Sequence, residues 1–214
     1  MSQAPGRWRE LIARFGLLLA LVVMVIVLAS ISDRFLTTSN IINVLRQISV
    51  NAIIAFGMTV VIIGAGIDLS VGSLLALVGV SAALLATGAG LPVWLVVVIA
   101  VVLGLLLGLV NGLFVGYAGV APFIVTLAGL TIFRGAALVL TDGRPISGLP
   151  PFFSRLGYGT FLGLPLPIWI MFGVLLLTFV LLRHTALGRA IYAVGGNREA
   201  ARLSGIPVRR VLAF

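Results

Sequence analysis

Long uncharged apolar runs separated by short polar stretches set the pattern of this chain. About 20 apolar residues cross a bilayer as one helix, because without water the backbone must satisfy its own hydrogen bonds, so counting such runs counts spans. Phe15–Ser32 is the first run and Gln47–Ile67 the second, preceded by the polar stretch TTSNIINVLRQ, where Ser39 or Asn40 is expected to cap the helix. The 65 residues from Leu69 to Phe133 carry no charge, too many for one or two helices. Punctuation at TGAGLP (87–92) and GYAGVAP (116–122) divides them into three. The run Leu156–Leu182 supports one more span, starting near Pro165 or Pro167. The pattern predicts an all-α polytopic membrane bundle of about six helices. Residues 120–140 are its weakest member because Arg134 interrupts them; if they and one neighbour were re-entrant, the count would be four.

Composition sharpens this. The chain of 214 residues is 61% hydrophobic and 9% charged, and its mean hydropathy is +1.29, which excludes an ordinary soluble domain. The net charge of +9 sits mostly at the ends: residues 1–14 carry Arg7, Arg9 and Arg14 against Glu10, and residues 183–214 carry six arginines against Glu199. That is not the stripe a nucleic-acid-binding protein needs. Short cytoplasmic loops are enriched in arginine, so both ends are expected in the cytoplasm, which requires an even number of crossings. Three arginines ahead of an apolar stretch resemble a secretory signal, but the run is longer than a signal core and further spans follow, so a retained first helix is expected. The expected organisation is a cytoplasmic segment 1–14, a membrane domain 15–183 and a cytoplasmic segment 184–214. No cysteine, one histidine and scattered carboxylates supply no metal set and no nucleophile–base pair, and no GxxxxGK[ST] loop is present. No cofactor and no enzymatic activity are expected of the chain, and any ATP chemistry belongs to a partner.

Three constellations inside the membrane domain bear on function. Glycines at 104, 108, 112 and 116 recur every fourth residue, predicting a groove for close helix packing in which bulk at Gly108 or Gly112 lowers folded yield. Asn111 beside them either hydrogen-bonds across helices or lines a polar path. The stretch GAGIDLSVGS (64–73) holds Asp68, the sole carboxylate between positions 34 and 141. Asp68 is either a cap on the next helix through the amides of Ser70 or Val71, or part of a broken helix lining a solute path with Ser70 or Ser73; the two readings are compatible. Arg134 comes thirteen residues after Ala121, about 20 Å along a helix, so it either snorkels to the outer interface or points into a vestibule toward a polar solute.

The last constellation is GRAIYAVGGNREAARLSGIPVRRV (188–211). Asn197 is placed to cap a helix from Arg198 to Ser204, with Glu199 in its first turn and Gly205 and Pro207 ending it. About seven residues do not persist as a helix alone, so a partner surface is needed. Lipid is one option, but the small side chains of Ala200 and Ala201 suit a protein groove better. The closing VLAF reads as the start of another apolar helix, so the chain is expected to be the front portion of a longer protein.

The runs GIDLSVGS, APFIVTL with IFRG, and AVGGNREAARLSGI closely resemble the permease subunits of bacterial ATP-binding-cassette importers for monosaccharides of the ribose, xylose, arabinose and galactose branch, from Thr37 through Pro207. The resemblance implies a permease of the bacterial inner membrane, two copies of which enclose a sugar path fed by an extracytoplasmic sugar-binding protein. It also implies that Asn197–Ser204 is the coupling helix that docks into a separate ATPase, with Gly195, Gly196, Asn197, Glu199, Ala200, Ala201, Ser204 and Gly205 as the coupling residues. Asp68, Ser70, Ser73, Asn111 and Arg134 are the expected path residues. Members of this family usually have about ten spans. The competing class is an ion-coupled secondary transporter, for which Asp68 is the one available intramembrane carboxylate.

Overall fold

A computed structural model describes residues 7–214, and side chains from Phe15 onward. Of the expected segment 1–14, residues 1–6 lie outside the described residues. The chain divides into two units, Met1–Gln47 and Ile48–Phe214.

In the first unit, α1 (Arg7–Ile31) is followed by a turn and by the start of α2 (Thr38–Ile63), which continues into the second unit. From Thr38 the polar stretch before the expected span is instead nearly the first three turns of α2. Its polar side chains alternate with Ile41, Ile42, Val44 and Leu45, so the stretch carries an apolar helical face, and the cap lies earlier than expected. Thr37 Oγ1, not Ser39 or Asn40, accepts the amide of Asn40 at 3.4 Å, while Asn40 Nδ2 donates to the Phe35 carbonyl at 2.7 Å.

The second unit contains α3 (Val71–Gly88), α4 (Val93–Gly116), α5 (Pro122–Thr141), the short α6 (Pro151–Tyr158), a hairpin of β1 (Thr160–Phe161) and β2 (Leu164–Pro165), α7 (Leu166–His184), and three short helices α8 (Ala186–Gly196), α9 (Arg198–Leu203) and α10 (Val208–Ala213). The uncertain segment is one continuous helix, α5, of 20 residues, long enough at about 1.5 Å per residue to span the hydrocarbon. Among the described residues, α2, α3, α4, α5 and α7 are long and apolar enough to cross a membrane, and Phe15–Ile31 is a shorter apolar helix. Their outward faces keep large apolar side chains exposed, such as Leu105, Val139 and Leu176. In water that would be ruinous; in lipid it is neutral, and close packing rather than hydrophobic burial must hold the helices together.

That packing is local. α3 lies against both α4 and α5, with Leu77, Phe133 and Ala137 buried between Leu74, Val80, Leu107 and Ala136. A second cluster joins Ile191, Val194, Ala201 and Val211 of the three terminal helices, with Val60 and Ile63 from the end of α2 packed against it.

The glycines of α4 do not form one groove. A step of four residues overshoots a 3.6-residue turn by about 40°, so Gly104 and Gly116 point about 120° apart. A methyl at Gly104 would touch Val78 and Leu74 of α3 at ordinary distance, whereas methyls at Gly112 and Gly116 would collide with the backbone of α10 at Ala213 and Arg209. Nothing lies within 4 Å of a methyl at Gly108. Gly112→Ala is therefore expected to lower the folded yield and melting temperature of detergent-solubilised protein, and Gly108→Ala to leave both unchanged. Equal sensitivity at the two positions would remove the close contact of α4 with α10.

Candidate functional site

The turn between α2 and α3 positions the central polar residues. α2 ends with the Ala65 amide bonded to the Ile62 carbonyl and the Gly66 amide bonded to Val61, a helix stop that needs a left-handed residue between them. Ala65 takes that conformation at φ 56°, where glycine would be free of strain. Three residues on, Asp68 folds back on the start of α3: its Oδ1 accepts both the amide and the hydroxyl of Ser70, each at 2.7 Å. Ser70 Oγ in turn accepts Asn111 Nδ2 of α4 at 3.0 Å. Ser70 is fully buried and Asn111 nearly so. The result is a three-member chain, carboxylate to hydroxyl to amide, that ties the turn to α4 where unmade hydrogen bonds are expensive.

α5 closes the back of this chain. A methyl at Gly129 would press on Asn111 and on Ser70 Cβ at 3.2 Å, so only glycine lets α5 come this close. Thr126, buried one turn earlier on α5, donates to its own helix at Pro122 at 2.8 Å and sits 3.4 Å from the Ile67 carbonyl of the turn. Neither Thr126 nor Gly129 stands out in the sequence; each becomes meaningful only once α5 is placed against the turn.

Asp68, Asn111 and Thr126 line one side of a cavity of about 440 Å³, whose other walls include Gly108, Thr178 of α7 and Ile191 of α8. Asp68 is half-buried there, and among the described residues it forms no ion pair. The cavity is mostly apolar with a few convergent polar groups, the usual make-up of a small-molecule site. Of the expected path residues, the structure brings Asp68, Ser70 and Asn111 together. Ser70 stands behind the wall and Ser73 is buried a turn further along α3, outside the lining. Arg134 is not part of this site: it is exposed on α5, eight residues or about 12 Å along the helix from Thr126.

At the same end of the bundle, the terminal helices bear on the turn. Asn197 Oδ1 accepts the amide of Ala200 at 3.0 Å and so caps α9, and Gly205 at φ 82° ends it, as its sequence foretells. Glu199 and Arg202 pair on its exposed side, and the guanidinium holds the carboxyl below its ordinary range through a hydrogen bond and its charge. α8 was not legible as a helix, yet it makes the decisive contact. A methyl at Gly195 would run into the Ile63 carbonyl, and Arg198 donates to the carbonyl of the left-handed Ala65 at 3.3 Å. Ala201, expected to face a partner, points inward, 4% exposed, among Ile191, Val194 and Val211. The outward residues of α9 are Arg198, Glu199, Ala200, Arg202 and Leu203, with Ser204 just beyond; Gly196, Asn197 and Gly205 flank them on the surface. Leu203, 74% exposed, is the largest apolar side chain among these and escaped the sequence reading.

Comparison with known proteins gives concordant results. The family model described as branched-chain amino acid transport system / permease component matches residues 40–214. The ribose import permease protein of Bacillus subtilis is 48% identical over 202 residues, covering 92% of this chain and 62% of that protein. The corresponding ribose import permease protein of Haemophilus influenzae is 46% identical over 200 residues, with the same coverage. The D-allose transport system permease protein of Escherichia coli is 38% identical over 197 residues, covering 92% of this chain and 60% of that protein. The chain thus spans about 62% of the length of the ribose permeases it matches. No solved structure matches.

Proposed function

Since the chain belongs to the family described as branched-chain amino acid transport system / permease component, a family of multi-pass membrane proteins, we propose that it is the membrane component of an ATP-driven importer. Its substrate is a monosaccharide, its site is the cavity beside Asp68, and its motor is a separate ATPase that docks on α9. The observation that carries this reading is the physical join between the two places. Gly195 and Arg198, at the root of α9, rest on the same turn that holds Asp68 against Ser70. A push on α9 from a docked ATPase would reach Asp68 through backbone and helix ends rather than through mobile side chains.

The sugar reading is supported by the names of the ribose and allose permeases and by the cavity itself, whose carboxylate, amide and hydroxyl suit hydroxyl groups better than a branched aliphatic side chain. In this reading both charge-rich ends lie in the cytoplasm of a bacterial cell, in its inner membrane, a second copy completes the path, and an extracytoplasmic binding protein delivers the sugar. The spans from Phe15 to Arg183 form the permease domain and residues 184–214 the coupling segment. Arg134, in the second half of α5, faces the outer part of the path in this reading.

The test is uptake by the importer assembled in vesicles with ATPase and binding protein. Radiolabelled ribose, allose and arabinose are offered beside leucine, with ATP inside or with an ion gradient alone. ATP-dependent accumulation of a sugar is expected. Leucine uptake would move the substrate to the chemistry of the family's description, and uptake driven by the gradient without ATP would replace the importer with a secondary transporter.

A further inference from the structure

At the end of the bundle away from Asp68, the segment between α5 and α7 is built unlike an aqueous loop. α6 turns Phe153 and Leu156 inward while Phe152, Arg155 and Tyr158 stay on its outer side. The hairpin then turns on two residues, Leu162 at φ 51° and Gly163 at φ 80°. Two-residue hairpins of this kind favour Asn-Gly, because the first position is left-handed and asparagine tolerates it. Here that strained position holds a leucine, 77% exposed at the tip, a choice that gains nothing in water. Beside it, the Phe161 ring meets the Trp169 ring edge to face at 5.9 Å, and the Trp169 indole N–H donates to the Phe161 carbonyl at 2.9 Å. Trp169 lies in the first turn of α7, so this patch begins where a membrane span begins.

We propose that the α6–hairpin segment is a lipid anchor. Phe161, Leu162 and Trp169 sit in the headgroup–acyl boundary of the membrane, with Arg155 toward anionic headgroups. The patch is continuous with the apolar face of α7, where Ile170 and Phe172 are exposed. It has the composition of an interfacial belt, aromatic rings with a polar handle and a cation. The Trp169–Phe161 hydrogen bond fixes the hairpin to the span, so Leu162 is held at the depth of the α7 entrance rather than left to wander.

Nitroxide-labelled lipids test this in vesicles of phosphatidylethanolamine and phosphatidylglycerol. Trp169 is made the sole tryptophan by Trp8→Phe and Trp94→Phe, and a second protein keeps Trp169 and carries Leu162→Cys labelled with an environment-sensitive fluorophore. Both probes are expected to show blue-shifted emission, stronger quenching by a label near the headgroup than by one near the chain end, and weak quenching by aqueous iodide. The Leu162→Asn variant, which keeps the turn, should leave folding intact while shifting Trp169 emission to the red. Strong iodide quenching without lipid quenching would place the tip in water and overturn the anchor. So would efficient disulfide formation between two copies of the Leu162→Cys variant, which would make the patch a subunit contact. Neither outcome touches the transport reading, which rests on the opposite end of the bundle.

Discussion

The Leu203→Asp variant is expected to lose ATP-driven uptake and transport-stimulated ATP hydrolysis by about tenfold or more, while its membrane insertion, helical content and melting temperature stay near those of the parent. Leu203 ends α9 with its side chain almost wholly outside the chain's own packing. A charge there costs the free protein little. Against an ATPase groove the same charge is buried without a counter-ion, and loss of a single apolar anchor at an interface centre is worth about 2 kcal/mol or more, roughly thirtyfold and so beyond the tenfold threshold. Ala201→Glu, at a residue whose small side chain the sequence assigns to a protein groove, is a poorer probe. Ala201 is packed among Ile191, Val194 and Val211, so glutamate there would break up α8–α10 and lose coupling for an uninformative reason. Co-purification of the ATPase with each variant separates the two. Full ATPase binding and sugar uptake by Leu203→Asp would remove α9 as the docking element.

This contrast shows where sequence reading ran out. Spans were legible because the bilayer imposes one requirement, length of apolar run, that a linear count can meet; α3, α4, α5 and α7 fall where the uncharged blocks and their Gly/Pro punctuation put them. The capped α9 was legible because its signals are local: asparagine, a first-turn acid, and glycine after the last turn. What a one-dimensional pattern does not carry is direction around a helix axis in contact with a second helix. The small residues Ala200 and Ala201 look alike in sequence, yet one faces out and one in. Gly108 and Gly112 look alike and both border the cavity, yet only at Gly112 would a methyl meet the backbone of another helix. Thr37 instead of Ser39 or Asn40 as the cap of α2 is a different kind of miss, a boundary shift where polar residues at a span's end continue the helix rather than precede it.

The strongest separation of structure from transport is expected at Asp68. Asp68→Asn leaves an Oδ1 able to accept the Ser70 amide and hydroxyl, so the turn, the α3 start and the Asn111 contact should persist, with a melting temperature close to that of the parent. What it removes is the charge on the cavity wall. Uptake is then expected to fall by about tenfold or more, since a carboxylate accepts hydrogen bonds from sugar hydroxyls roughly twice as strongly as a neutral amide does. Ser70→Ala should do the reverse. It keeps the carboxylate but leaves Asn111 Nδ2 without its acceptor in a fully buried place, a loss of about 1–3 kcal/mol, seen as a lower melting temperature and a smaller folded yield. Uptake per folded molecule should be less affected than in Asp68→Asn, because Ser70 stands behind the cavity wall and Asp68 in it. If Asp68→Asn transports sugar at the parental rate, Asp68 is a helix-start residue alone and the path lies elsewhere. If instead both variants unfold, the carboxylate and the hydroxyl act as one structural unit, and the expected separation of folding from transport at Asp68 fails.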